Sequence, residues 1–103
     1  MRPDDIEATF VPCRGSDVAG IELDGEMVLG RLAPDSDALT TYALNATASI
    51  VWQCFDGSGT IDEISRDLAD VSGTDVGVIG RDILALARDL GRAGLLAGVE
   101  EDA

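Results

Sequence analysis

Two cysteines, a few closely spaced carboxylates, one serine between aspartates and a line of arginines are the side chains here whose chemistry could be put to use. Cys13 and Cys54 are far apart in sequence, and histidine is absent. With no imidazole to deprotonate a thiol or hydroxyl, or to ligate a metal, histidine-dependent catalysis and histidine-held metal are excluded. Cys54 stands in an apolar helical run, where a thiol acts as a small core side chain. Cys13 lies in Pro-Cys-Arg-Gly-Ser, beside Arg14, but no partner base exists. Asp62, Glu63 and Asp67 place carboxylates along one helical stretch, where they serve as caps and solvated charges. No catalytic residue, metal or cofactor is therefore expected, and the chain is expected not to be an enzyme. Arg81, Ala85, Arg88 and Arg92 recur at four, three and four residues. They form a line whose guanidinium forks suit the carboxylate of an acidic peptide side chain. The competing reading is a solvated face with local pairs such as Asp89 with Arg92.

Ser36, in Asp35-Ser36-Asp37-Ala38-Leu39, is faintly like the Asp-Ser-Leu site on which acyl carrier proteins bear phosphopantetheine. The context opposes it: Thr40-Thr41-Tyr42, a β-branched and aromatic run, follows where a carrier opens a helix. At 103 residues the chain makes one domain with one modest core. Its formal net charge of −13 repels phosphate backbones and anionic membrane surfaces. That argues against another alternative, DNA binding by a winged helix, and against a membrane partner. All seven basic residues are arginine. No stretch is apolar enough for a signal peptide or a span, so a reducing cytoplasm is the expected location.

These side chains are positioned by a simple order of elements. Residues 1–16 mix charge, proline and isolated apolar side chains and read as a loose arm. Residues 18–24 alternate, with Ala19, Ile21 and Leu23 facing the core and Glu22 and Asp24 facing solvent. Asp24-Gly25 signals a tight hairpin, Glu26–Leu32 the returning strand, residues 34–37 a looser turn, and Leu39–Leu44 a third strand. Asn45 caps a helix with Ala48, Val51, Trp52 and Phe55 on one face. Thr60-Ile-Asp-Glu63 is a capping box opening a second helix with Ile61, Ile64, Leu68 and Val71 in its apolar stripe, closed by Gly73. Residues 75–93 form a third helix with the stripe Ile79, Ile83, Leu86 and Leu90, ended by Gly94. The fold class is α+β, a three-stranded antiparallel sheet followed by three helices in a winged helix-turn-helix-like arrangement. The ordered domain spans residues 17–97, and 98–103 form an acidic tail. The third strand has no charge or proline from Leu39 to Leu44, so its edge is open to another strand, a second copy of the chain included.

Tyr42-Ala-Leu-Asn45, the helix with Ala48, Ile50 and Trp52, Phe55-Asp-Gly57, Thr60-x-x-Glu63-Ile64, Leu68 and Leu90-x-x-x-Gly94-Leu-Leu96, in this order and spacing, resemble the PqqD family over residues 19–96. The resemblance implies a recognition element for ribosomally made, post-translationally modified peptides. Such a domain holds the leader of a precursor peptide and presents it to a modifying enzyme, such as a radical SAM enzyme or a leader peptidase. Related domains serve pyrroloquinoline quinone, lasso peptide and mycofactocin pathways. It also implies that the leader lies as an added strand along the third strand, against the third helix. On this chain those contacts fall at Leu39, Thr40, Thr41, Tyr42, Ala43 and Leu44, and at Val76, Ile79, Ile83, Arg81 and Arg88.

Overall fold

The computed structural model describes residues 1–32 and 39–99. The turn expected at 34–37, with Ser36, and the tail from 100 onward lie outside the described residues. Strands β1 (Val18–Leu23), β2 (Glu26–Leu32) and β3 (Leu39–Leu44) form one antiparallel sheet in the order β1-β2-β3. Helices α1 (Ala46–Gln53), α2 (Ile61–Ser72) and α3 (Val76–Arg92) follow. The β1–β2 hairpin turns through Asp24 at φ 52° and Gly25 at φ 82°. Two successive positive φ values make a connection whose twist matches that of the flanking strands.

Register decides which side of each strand meets the helices. Leu29 and Leu44 are buried, with Met27 and Tyr42 half-buried on the same face. Gly20 pairs with Leu29 and Ile21 with Val28, so Gly20 faces inward and Ala19, Ile21 and Leu23 face outward. Ile21 is 62% and Leu23 60% exposed, the reverse of the expectation from alternation alone. The inward space over β1 is filled from the neighbouring strand: a Cβ at Gly20 would lie 2.9 Å from Met27 Sδ. Met27 thus uses room that only a glycine leaves open.

The helix boundaries obey their local chemistry. Asn45 Oδ1 accepts from Ala48 N–H at 2.8 Å, starting α1 where β3 ends. Val51, Trp52 and Phe55 then enter the core, the two rings meeting edge-on at 6.5 Å. Thr60 and Glu63 form the reciprocal capping box of α2, both bonds at 3.1 Å. Gly73 at φ 72° closes α2, and Asp75 Oδ1 accepts from Gly77 N–H at 2.7 Å to open α3. Ile61, Ile64, Ile83, Ala87 and Leu90 hold α2 and α3 together. Val71, expected in the α2 stripe, is 88% exposed at the end of that helix.

Residues 1–16, read from the sequence as a loose arm, are docked. Ile6 is fully buried and Pro12 with it. The carbonyls of Phe10 and Ala8 accept from the first N–H groups of α2, those of Ile61 and Asp62, at 3.0 and 2.9 Å. These donors have no partner inside their own helix, so the arm completes α2. Arg14 N–H donates to Phe55, and the Cys13 carbonyl accepts from Ala97. Close approach to α3 depends on Gly91, where a Cβ would lie 2.7 Å from Val99 Cγ1 and 3.4 Å from both Ile6 Cδ1 and Pro3 Cβ.

Candidate functional site

Among the described residues β3 is hydrogen-bonded on one side only, by β2. Thr40, Thr41 and Ala43 are exposed, and Tyr42 is half-buried toward the helices. An edge of uncharged residues presents unpaired backbone donors and acceptors to any extended segment that can reach it. The strand is followed directly by Asn45 and α1, which form one wall of an apolar groove of about 670 Å³. Ala48, Ile50 and Val51 line that wall; Ile79, Asp82, Ile83 and Leu86 of α3 line the other, and Leu68 and Val71 of α2 close the end.

Three contacts fix the direction of α3 relative to β3. Asn45 shares the groove with Ile79 and Asp82 near the start of α3. Farther along, the Tyr42 phenol is pushed above its ordinary pKa, first by burial and then by the Asp89 carboxylate. Arg31, paired across the sheet with Thr40, donates to the Gly94 carbonyl at 2.9 Å and to Asp17 at 2.8 Å. β3 and α3 therefore run in opposite directions, and the face of α3 carrying Ile79, Asp82, Leu86 and Asp89 follows the strand.

The sequence-derived site residues divide between this place and others. Leu39–Leu44 form the open edge, and Ile79 and Ile83 line the groove. Ile83 belongs equally to the core, at 2% exposure. Val76 and Arg81 instead line a separate, smaller depression against the start of α2. Arg88 donates from Nε and Nη2 to the Ile6 carbonyl at 3.2 and 2.9 Å. Arg92 pairs with Asp4 at 2.7 Å and Asp89 at 2.9 Å. At about 100° per residue, the arginine line lies roughly 130° around α3 from the groove-facing residues. It grips the docked arm rather than bordering the groove. Asp82, Leu86, Val71 and Ile50 are among the groove residues absent from the sequence-derived site; Leu86 and Val71 already stood in apolar stripes, while Asp82 gave no signal apart from its place one turn after Ile79.

The remaining chemistry-bearing side chains are engaged structurally. Burial is the main cause that raises the Cys54 thiol pKa, the charges of Asp56 and Asp67 adding to it, which keeps it protonated and weakly nucleophilic near neutral pH. Glu63 is held below the ordinary carboxylate range by its bonds from Thr60, and Asp62 pairs with Arg66 at 3.0 Å. Among the described residues no group of three or more cysteine or acidic side chains is placed to hold a metal ion. No helix of the described residues is long and apolar enough to cross a membrane.

Fold and site together define a small α+β domain whose third strand is singly paired among the described residues and leads through Asn45 into an apolar groove. The chain belongs to the PqqD family: the family described as coenzyme PQQ synthesis protein D matches residues 30–96, from within β2 to Leu96 in the segment after α3. Among solved structures it is similar to the PqqD truncation of Methylobacterium extorquens PqqCD. That solution NMR structure is described as a functional and stand-alone recognition element for ribosomally synthesised and post-translationally modified peptides. The similarity has 26% identity and a TM-score of 0.73, over 93% of this chain and 98% of that one. TbiB1 in complex with the TbiA(beta) leader peptide has the same fold, with 23% identity and a TM-score of 0.68, over 84% of this chain and 95% of that one. No curated protein matches the chain by sequence.

Proposed function

We propose that this chain is a non-catalytic recognition domain that binds the leader of a ribosomally made precursor peptide as an added strand along β3. In this reading it presents the bound precursor to a modifying enzyme, such as a radical SAM enzyme or a leader peptidase, in the cytoplasm where precursors are synthesised. The observation that carries the reading is the uncharged edge Leu39–Leu44, singly paired among the described residues and leading through Asn45 into an apolar groove. Main-chain pairing to such an edge supplies affinity, and alternate side chains entering the groove supply selectivity. Inward positions of the added strand face Ile79, Ile83 and Leu86. Family membership and the solved relative described as a recognition element support the same assignment. The domain supplies no reacting group; it raises the effective concentration of the precursor at its partner's active site.

Strand addition is tested by titrating the labelled domain with synthetic leaders encoded beside its gene and following backbone NMR shifts. Shifts concentrated in β3 and α3 are expected. Successive N–H groups of a strand point to alternate sides, so one of Thr40→Pro and Thr41→Pro removes only an outward donor and keeps the sheet. That variant is expected to bind leader about tenfold more weakly or worse. Wild-type affinity in the folded variant would rule out pairing at this edge. The same edge admits a second copy of the chain, and sedimentation at rising concentration, with and without leader, distinguishes self-pairing from leader binding.

A further inference from the structure

The α3 wall of the groove is apolar apart from one carboxylate, Asp82, set among Ile79, Ile83 and Leu86. The Asp82 carboxylate is exposed and makes no hydrogen bond or ion pair among the described residues. Four of the chain's seven arginines are bonded elsewhere. Arg31 bonds Asp17 and Gly94, Arg66 bonds Asp62, Arg88 bonds Ile6, and Arg92 bonds Asp4 and Asp89. Arg81 lies against the start of α2 on another side of α3. Any charge reaching the groove therefore meets an uncompensated anion, inside a molecule whose net charge of −13 reinforces it.

Resting on the leader-binding reading above, we propose that the segment this groove selects is basic as well as apolar: an extended stretch with apolar side chains at inward alternate positions and a lysine or arginine placed to meet Asp82. The sequence-based alternative, an acidic leader held by the arginine line, places its anion on the wrong side of α3. An acidic side chain in the groove would instead face Asp82. Like charges brought together on an apolar floor discriminate against the wrong partner, while the matched pair fixes register.

The test is a selection of short random displayed peptides on the full chain, followed by calorimetry and NMR mapping of the winners. Peptides that map to β3 and α3 should carry an excess of lysine and arginine over the starting library. Replacing the enriched basic residue by glutamate should weaken binding to the wild-type domain about tenfold. Asp82→Asn should shrink that discrimination to about twofold, and Asp82→Arg should reverse it. Asp5→Asn, which removes the same charge from the arm behind α3, should leave it unchanged and so separates the local pair from the general field. Because Asp82 is exposed and unpaired, its variants should keep the wild-type circular dichroism and melting temperature. Groove-mapping peptides without basic enrichment, or enrichment equally sensitive to Asp5 and Asp82, would overturn this inference and leave the leader-binding reading standing. Failure to select any peptide that maps to β3 and α3 would overturn both.

Discussion

Two glycines of α3 should respond oppositely to the same substitution, because different neighbours cover them. Helix interiors favour alanine over glycine by about 1 kcal/mol. At Gly80 the added Cβ would meet Ser65 Oγ at 3.4 Å, an ordinary contact, so Gly80→Ala should gain close to that full propensity. At Gly91 the Cβ would sit 2.7 Å from Val99 Cγ1, with Ile6 and Pro3 at 3.4 Å. Val99 and Ile6 are both buried, and neither can swing into solvent. Overpacking of this kind costs about 1–3 kcal/mol. Set against the same propensity gain, Gly91→Ala should therefore lose about 1 kcal/mol net, and the two variants should differ by about 2 kcal/mol. Urea unfolding followed by circular dichroism measures both, and in a domain of this size each kcal/mol moves the melting temperature by about 4–8 °C. A Gly91→Ala protein as stable as Gly80→Ala would mean that the arm and the Val99 segment do not press on α3. The assignment of Arg88 to the arm would fall with it.

Arg88→Ala should lower stability by about 1–2 kcal/mol, since the part-buried Ile6 carbonyl loses a charged donor; leader affinity should stay at the wild-type value, measured by calorimetry on the same preparation. Glu63, Asp17 and Asp56 are held below their ordinary carboxylate values by hydrogen bonds from Thr60, Arg31 and Ser58 respectively. In each case the unfolded chain takes up its proton first as pH falls. The stabilisation is therefore fully present above the unfolded value and is lost as pH drops through the folded one. The melting-temperature advantage of the wild type over Glu63→Gln should accordingly shrink between about pH 6 and pH 3; an advantage that grows with acid would contradict the capping-box assignment. Cys54, half-buried with a raised thiol pKa, should react with iodoacetamide near neutral pH more slowly than a free cysteine in an unfolded control, read by intact mass.

Local chemistry was legible wherever one residue satisfies its own backbone. The Asn45 cap, the Thr60–Glu63 box, the Asp24-Gly25 turn and the glycine at 73 all act within a few residues of themselves, and each stands where the sequence places it. The open edge was legible too, because it follows from an absence of charge and proline in one strand. Facing was not. The alternation of Ala19, Ile21 and Leu23 marks one side of β1 as apolar, yet Met27 and Leu29 of the next strand occupy the space that decides which side is covered. The arginine line shows the same gap: helical arithmetic separates the faces of α3 but does not say that the arm takes one and the groove the other. The arm docks mainly through backbone bonds and a glycine, which leave no periodic trace.

The arm also brings the described ends of the chain together. The Met1 ammonium donates to the Gly98 carbonyl at 3.3 Å, on the side of α3 gripped by Arg88 and Arg92 and away from the groove. A protein spliced before Met1 would hang from the back of the domain and leave the groove unobstructed. The domain is thus shaped as a cassette that a partner can carry through its first residue while the edge of β3 faces the same way.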